Sequence, residues 1–359
     1  MEWREIIDRL SRSPAYEGGI SAAQAAKYQN ISVDKFINLQ SNENLFISSS
    51  YLKSILRAAI REFNPQLYPK DEIGILEENL ASYVNVKPEN IMLGSGADQL
   101  IDFLISLFGS MGSVAYPVPT YSYYGISSEV RGIKKVEVPY NEDFSLDVDR
   151  LVNAASTLTF ICSPNNPTGH SVKLDQLREL LERGRSLVVV DETYAEFLGM
   201  SFAPLIKKYD NLLILRSMSK SFGIASLRVG YMIGDAEIIS NLKKAQLPFV
   251  ISSLAARVSV KLLQNLSYFR SRWREAIATM KKFLSMLDIS VQRTPTETYF
   301  VTISTCRSNT VVFNELLRYG YITRIIKPFM NFRNPLRLSV APFRMISDLP
   351  DLINNLNKC

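Results

Sequence analysis

From residue 90 to residue 234, short apolar runs alternate with longer stretches whose apolar positions recur at helical spacing. The short runs predict strands and the periodic stretches predict helices. The predicted strands cover residues 91–93, 114–116, 135–138, 158–162, 187–190, 212–215 and 229–233, and the predicted helices cover residues 97–108, 120–130 and 174–183. The run at 187–190 contains only leucine and valine, as expected for a strand buried on both faces. The alternation predicts an α/β fold with a mostly parallel central sheet wrapped by helices.

The pattern differs on either side of this region. Before it, periodic stretches predict helices at 2–12, 21–28, 50–63 and 73–83, with a short strand at 37–39. After it, helical stretches run to about residue 287 with a break at Pro248, and short strands at 299–303, 322–324 and 336–340 flank a helix at 311–319. We therefore predict an N-terminal arm (1–45) that packs with the small domain or a partner subunit, a large domain (46–247) and a smaller α+β domain (248–359).

Composition narrows the possible functions. The chain is 47% hydrophobic and 21% charged, its start is charged, and no apolar run reaches the length of a membrane span. The net charge of +6 is spread along the chain without a nucleic-acid reader motif. We therefore expect a soluble, cytoplasmic protein that binds neither membranes nor nucleic acid.

Histidine and cysteine usage argues against a metal centre. The single histidine, His170, follows a Pro-Thr-Gly turn, so we expect an exposed loop residue and no His-rich zinc site. The three cysteines (Cys162, Cys306 and Cys359) are widely spaced, which argues against a disulfide framework and against a thiolate metal site.

The polar residues after the predicted strand at 212–215 offer a covalent chemistry. Ser217 and Ser219 flank the approach to Lys220, and Arg228 lies eight positions beyond the lysine. A lysine held by a loop at a strand end can form a Schiff base with a carbonyl. Hydroxyls and a guanidinium beside it suit a phosphate. An aldehyde that carries a phosphate describes pyridoxal 5′-phosphate (PLP), although an ordinary basic surface loop would have the same composition.

Other predicted strands also end at residues suited to such a ligand, because ligands of open α/β sheets bind beyond the carboxyl ends of the strands. The turn at 94–98 offers the backbone N–H groups of a helix start, and Tyr121 could stack on a planar ring. Asn166 precedes a proline that would present its amide rigidly. Asp191, at the end of a buried strand, needs a cationic or hydrogen-bonding partner, such as a protonated pyridine nitrogen, and Tyr194 three residues on could reach an oxygen of the same ring. Alone, each has an ordinary alternative: a glycine turn, a core aromatic or a capping aspartate.

The order of these features resembles the fold-type-I PLP-dependent enzymes, specifically the class I and II aminotransferases. The resemblance extends over nearly the whole chain and is carried by SPNNPTG (163–169), VVVDETY (188–194) and SMSKSFGIASLRVGY (217–231). It implies an aspartate-aminotransferase-like fold, PLP as the cofactor, and small-molecule amino acid and oxo acid substrates.

The resemblance also implies roles for individual residues. Lys220 would bond to the cofactor and move the substrate proton, Asp191 would keep the ring nitrogen protonated, and Tyr194 would hydrogen-bond the ring hydroxyl. The implied cofactor-binding residues are Ala97, Asp98, Tyr121, Asn166, Asp191, Tyr194, Ser217, Ser219, Lys220, Arg228 and, from a partner subunit, Tyr68. The last of these implies a homodimer with shared active sites. Arg337 would pair with the substrate carboxylate.

Two N-terminal segments are similar to the histidinol-phosphate aminotransferase branch. They are YEGG (16–19) and INLQSNEN (37–44), and they imply a phosphorylated substrate contacted by Arg324, Tyr16 and Asn44. The reaction would be reversible amino transfer between glutamate and imidazole-acetol phosphate. Leu45, Gln99 and the segment 224–226 depart from the family pattern beside the site, which weakens the substrate assignment more than the chemistry.

Four alternatives remain open. A threonine-phosphate decarboxylase shares the scaffold and ranks second, and an aromatic amino acid aminotransferase ranks third. A non-catalytic PLP-binding module would need a DNA-binding domain ahead of the core, where the sequence shows no helix-turn-helix spacing. A structural protein that only retains the fold would be expected to lose cofactor-contacting positions.

Overall fold

The computed structural model describes residues 3–358, so Glu2 and Cys359 lie outside the described residues. Its helices are α1 (Trp3–Arg12), α2 (Ala22–Gln29), α3 (Ser49–Glu62), α4 (Lys70–Val84), α5 (Gly96–Phe108), α6 (Tyr123–Val130), α7 (Val148–Asn153), α8 (Leu174–Arg183), α9 (Ala195–Leu198), α10 (Met218–Ser221), α11 (Ala236–Ala245), α12 (Ser253–Leu263), α13 (Leu266–Met286), α14 (Asn309–Arg318) and α15 (Leu349–Leu356). Its strands are β1 (Ile37–Asn38), β2 (Ile91–Ser95), β3 (Ser113–Val118), β4 (Lys134–Pro139), β5 (Leu158–Cys162), β6 (Leu187–Asp191), β7 (Leu212–Ser217), β8 (Val229–Ile233), β9 (Gln292–Arg293), β10 (Phe300–Ser304), β11 (Tyr321–Ile322), β12 (Arg324–Ile325) and β13 (Pro335–Ser339).

A seven-stranded central sheet has the order β2-β8-β7-β6-β5-β3-β4, and β8 is antiparallel to both of its neighbours. The other strand pairs are parallel, as the sequence predicted. Successive residues of β6 point into different layers, since Val188 and Val190 join one hydrophobic cluster and Val189 joins another. Helices therefore cover both faces, and the prediction of a mostly parallel sheet wrapped by helices is confirmed.

The C-terminal region forms a four-stranded antiparallel sheet in the order β12-β13-β10-β9. The N-terminal arm joins this region because β1 pairs in parallel with β11, with Ile37 opposite Tyr321. Helix α12 packs on α3 and α4, although it follows the predicted boundary at residue 247. The three-part domain division stays a prediction.

Two local predictions differ from the structure. The prediction of a loop around Lys220 is wrong, because β7 runs on to Ser217 and the lysine lies on the one-turn helix α10. The prediction that His170 is exposed is also wrong, because only 6% of the residue is exposed. Its ring packs edge-on against Tyr140, with ring centroids 4.8 Å apart, so aromatic burial overrides the preference of a Pro-Thr-Gly turn for the surface.

Within residues 3–358, no helix is long and apolar enough to cross a membrane, and no group of acidic, histidine and cysteine side chains could hold a metal. Cys162 is a buried free thiol, whereas Cys306 is part of a disulfide, which the cysteine spacing did not lead us to expect.

Candidate active site

A cavity of about 1060 Å³ opens at the carboxyl ends of the central strands. Among its lining residues are thirteen of the positions predicted from sequence: Tyr16, Ala97, Asp98, Tyr121, Asn166, Asp191, Tyr194, Ser217, Ser219, Lys220, Arg228, Arg324 and Arg337. The fold therefore brings together residues that lie more than 300 positions apart in the chain. Two of the predicted site residues, Asn44 and Tyr68, do not line this cavity.

Lys220 projects from α10 into the cavity, and its Nζ donates a hydrogen bond to the Ser41 carbonyl at 2.7 Å. Burial, with the nearby positive charge of Arg337, lowers the pKa of the Lys220 ammonium to about 8. A sizeable fraction of the amine is therefore unprotonated near neutral pH, which is the state required of a nucleophile or a base.

Asp191 ends β6 with its carboxylate buried. Its Oδ1 accepts hydrogen bonds from the Thr193 backbone N–H at 3.0 Å and the Thr193 hydroxyl at 2.6 Å, and its Oδ2 accepts one from the Tyr124 hydroxyl at 2.7 Å. Burial raises the pKa of Asp191 despite these donors. A cation beside the carboxylate would favour its charged form, and the protonated pyridine nitrogen of PLP fits this requirement.

The start of α5 forms a cradle for an anion. Gly96 adopts a φ of +78°, and a Cβ there would collide with the Arg228 guanidinium. Arg228 Nη2 lies 2.7 Å from Asp98 Oδ2, and the Tyr121 hydroxyl donates to Asp98 Oδ1 at 2.9 Å. The backbone N–H groups at Ala97 and Asp98 belong to the first turn of a 13-residue helix, where an anion is stabilised by the helix dipole.

Two serines complete the other side of the cradle. The Ser217 hydroxyl accepts a hydrogen bond from the Ser219 backbone N–H at 3.2 Å and caps α10. Both serines line the cavity beside Lys220 and Arg228. Hydroxyls, a guanidinium and a helix start are the donors that a phosphate requires.

Arg337 is a buried cation on β13. Its Nη1 donates to Asn166 Oδ1 and its Nη2 donates to the Gln40 carbonyl, while its Nε has no hydrogen-bond partner among residues 3–358. No carboxylate of the described chain pairs with this guanidinium, and burial lowers its pKa. A buried unpaired cation is costly, so the site is suited to a ligand that brings a carboxylate.

Tyr194 is hydrogen-bonded to the N-terminal arm. Tyr194 Oη accepts a hydrogen bond from Asn42 Nδ2 at 3.1 Å, and Asn42 Oδ1 is buried without a partner in the described chain. Burial raises the pKa of Tyr194, so its hydroxyl stays protonated and can donate.

The cavity carries a second cationic group, Arg324, which lies opposite Arg337 in the pairing of β12 with β13. Arg324 Nη2 donates to the Glu17 carbonyl at 2.6 Å, which fixes this guanidinium against the N-terminal arm. The Tyr16 ring lies edge-on to the rings of Tyr121 and Tyr123, with centroids 6.2 Å from each. Arg324 and Tyr16 thus stand where they could bind an anionic end of a substrate.

The two predicted residues outside the cavity have other contacts. Asn44 Nδ2 donates to the Ser221 carbonyl at 3.3 Å, and its Oδ1 accepts from the Phe46 backbone N–H at 3.1 Å, so its amide braces the chain next to Lys220. Tyr68 is 73% exposed and stacks on Phe249 with ring centroids 4.8 Å apart. Within one chain, neither side chain reaches the site.

Comparison with known proteins agrees with this geometry. Residues 34–345 match the family described as Aminotransferase class I and II. A histidinol-phosphate aminotransferase of Caldanaerobacter subterraneus is 31% identical over an alignment of 328 positions, which covers 89% of this chain and 92% of the relative.

Two solved structures share the fold. A histidinol-phosphate aminotransferase of Sinorhizobium meliloti in complex with PLP superposes with a TM-score of 0.83 at 20% identity, covering 97% of each chain. An L-threonine-O-3-phosphate decarboxylase of Porphyromonas gingivalis superposes with a TM-score of 0.77 at 19% identity, covering 89% of this chain and 99% of the other. The family match extends over most of the described chain, and the chain therefore belongs to the class I and II aminotransferases.

Proposed function

We propose that the protein is a PLP-dependent histidinol-phosphate aminotransferase that interconverts histidinol phosphate and 2-oxoglutarate with imidazole-acetol phosphate and glutamate. The single observation that carries the aminotransferase chemistry is that Arg337, buried without a carboxylate partner in the described chain, lies in the same cavity as Lys220. The pKa of Lys220 is lowered in that cavity. The match to histidinol-phosphate aminotransferases supports the choice of substrate.

PLP, when bound, supplies an aldehyde for amine exchange and a ring that withdraws electrons from the substrate Cα. Asp191 would hold a proton on the ring nitrogen, and the donors at Ala97, Asp98, Ser217 and Ser219 with Arg228 would hold the phosphate. Tyr194 and Asn166 would hydrogen-bond the ring hydroxyl, and Tyr121 would stack on the ring. In this assignment, Arg337 would bind the α-carboxylate of glutamate, or the phosphate arm of histidinol phosphate, which is attached to Cα in place of that carboxylate.

Lys220 would be the base that takes the proton from the substrate Cα. Because burial keeps the pKa of Lys220 near 8, the amine can accept and release this proton near neutral pH. Arg324 and Tyr16 would hold the same phosphate beside Arg337, because Arg324 lies opposite Arg337 in the pairing of β12 with β13, and this would orient the Cα–H bond.

The substrate assignment is tested with a panel of amines on the purified holoenzyme. Histidinol phosphate is expected to convert the cofactor to its pyridoxamine form, as followed by absorbance, whereas phenylalanine is not. Carbon dioxide release from threonine phosphate would replace the assignment with a decarboxylase, and conversion by phenylalanine would replace it with an aromatic aminotransferase. Specific retention of DNA without turnover of any amine would indicate a binding module.

The protein acts in the cytoplasm as a homodimer in which Tyr68 of each subunit reaches the cofactor phosphate of the other. The high exposure of Tyr68 on the described chain supports this part of the proposal. Mixing the Lys220→Ala and Tyr68→Ala variants tests it, because heterodimers would contain one site with both native residues. Equal mixing should restore about one quarter of the wild-type activity. If each variant is inactive and the mixture stays inactive, the site is not shared.

A further inference from the structure

A chain of buried hydrogen bonds runs behind the cavity from Thr120 to His170. The Thr120 hydroxyl donates to Asn165 Oδ1 at 2.7 Å. Asn165 Nδ2 lies 2.9 Å from the Pro119 carbonyl and 2.6 Å from Thr168 Oγ1. Thr168 Oγ1 then lies 2.7 Å from His170 Nδ1. The side chains of Asn165 and Thr168 are fully buried.

The direction of each hydrogen bond follows from what the groups can donate. The Pro119 carbonyl can only accept, so the Asn165 atom that faces it must be the amide nitrogen. The two hydrogens of that nitrogen are used by the Pro119 carbonyl and by Thr168 Oγ1. Thr168 Oγ1 has no other side-chain or carbonyl partner among residues 3–358, so its hydroxyl hydrogen finds an acceptor only if His170 Nδ1 is unprotonated and accepts it. The remaining proton of the neutral ring is therefore on Nε2.

The surroundings of the ring keep it neutral. Nε2 has no hydrogen-bond partner among residues 3–358, and the ring lies between Tyr140 and Phe144, with centroids 4.8 and 5.3 Å away. Burial lowers the pKa of His170 to about 4, while the charge of Asp143 acts weakly in the opposite direction. The ring is therefore a constant acceptor across the range in which enzymes of this family would work.

The chain of hydrogen bonds fixes two loops that border the cofactor. Thr120 directly precedes Tyr121, and Asn165 directly precedes Asn166, whose Oδ1 accepts from Arg337. The second loop is also closed on itself, because the Asn165 backbone N–H donates to the His170 carbonyl at 2.7 Å.

We infer that His170 is a positioning residue, held as the neutral Nε2–H tautomer, whose Nδ1 ends the hydrogen-bond chain that sets Tyr121 and Asn166 against the cofactor. The inference rests on the proposed function for the roles of Tyr121 and Asn166. It assigns the single histidine a task that involves neither proton transfer nor metal binding.

The tautomer can be read from the wild-type protein, because its only imidazole is that of His170. In the ¹⁵N-histidine-labelled holoenzyme, correlation of the ring nitrogens with the ring carbon-bound protons should show one protonated nitrogen, Nε2, and one bare nitrogen, Nδ1. The spectrum should not change between pH 5.5 and pH 8.5. A proton on Nδ1, or titration within this range, would overturn the inference.

Two replacements with the same number of side-chain heavy atoms separate positioning from packing. In His170→Asn, the side-chain oxygen can occupy the place of Nδ1 and accept from Thr168, whereas His170→Leu offers no acceptor. We expect His170→Leu to bind PLP roughly tenfold more weakly and to lower kcat with histidinol phosphate, and we expect His170→Asn to stay within about threefold of wild type.

Equal losses of PLP affinity in the two variants would mean that the ring only fills space, and the inference would fail. The PLP titration and the nitrogen spectrum need no substrate. They therefore decide the role of His170 even if histidinol phosphate proves not to be the substrate, in which case the proposed function alone is overturned.

Discussion

The lowered pKa of Lys220 predicts how fast PLP should attach at different pH values. With a pKa of about 8 in place of 10.5, the neutral fraction of the amine at pH 7 rises from ~0.03% to ~10%, about 300-fold. Only the neutral amine attacks the cofactor aldehyde. Below the pKa the attachment rate should therefore rise about tenfold per pH unit, and above about pH 8 it should level off.

The assay mixes apoprotein with PLP and follows the absorbance of the attached cofactor from pH 7 to pH 10. This range lies above the second phosphate pKa of ~6, so the charge of the ligand phosphate stays constant. A rate that continues to rise tenfold per unit up to pH 10 would show that Lys220 titrates as an ordinary lysine. The burial argument would then be refuted.

A charge variant tests the second cause of the shift. Because the positive charge of Arg337 lowers the pKa of Lys220, Arg337→Gln should move the break in the rate profile to higher pH. The break should not reach the value of a free lysine, since burial is the larger cause. Arg318→Gln is the matched control, because Arg318 is an exposed arginine that pairs with Glu315 outside the cavity. An unchanged break in Arg337→Gln would contradict the electrostatic assignment.

Three further predictions concern the cofactor cradle and the substrate. Gly230→Ala places a Cβ 2.5 Å from the Gly96 carbonyl carbon, so we expect a loss of about 1–3 kcal/mol in the free energy of unfolding and weaker PLP binding. The control is Gly74→Ala, whose Cβ meets no atom within 4 Å inside α4 and which should raise the free energy of unfolding by about 0.5–1 kcal/mol. Denaturant titration measures both changes. Asp191→Asn should still bind PLP covalently but lower kcat by about 10²–10³-fold, because the ring cation loses its buried anionic partner. Single-turnover kinetics measure the chemical step directly, and an unchanged rate of that step would contradict this role of Asp191. Arg324→Gln should raise KM for histidinol phosphate more than KM for its dephosphorylated form, and an equal effect on both amines would remove this residue from phosphate binding.

The sequence predicted residues of the cavity correctly where a polar residue directly follows a buried strand. Apolar runs of leucine and valine marked the buried strands, and the polar residues just beyond them proved to line one cavity. Parallel strands bring their carboxyl ends to the same edge, so the position of a residue after a strand already indicates its neighbours.

The partners that tune these residues were not visible in the sequence. Tyr124, which donates to Asp191, lies in a predicted helix with nothing in the sequence to mark it, and it gains a role only because its ring stacks on Phe160 of β5, next to β6. Arg216 pairs with both Glu192 and Glu196 in the interior, at 2.9 Å from each, and nothing in the local pattern separates these buried charges from exposed ones. The prediction that His170 is exposed was wrong for the same reason, because the burial of its ring depends on Tyr140, which lies 30 positions earlier in the chain.

From a strand of the C-terminal sheet, Arg337 donates to two distant parts of the chain at once: the Gln40 carbonyl in the arm and the Asn166 side-chain amide beside the central sheet. A ligand that binds this guanidinium would therefore connect the arm, the central sheet and the C-terminal sheet. Ligand binding should then protect all three regions against unfolding. Lys220, which reacts, and Arg337, which binds the substrate, also lie on different elements, α10 and β13. Substitutions in the C-terminal strands can therefore change substrate specificity without disturbing the reactive lysine.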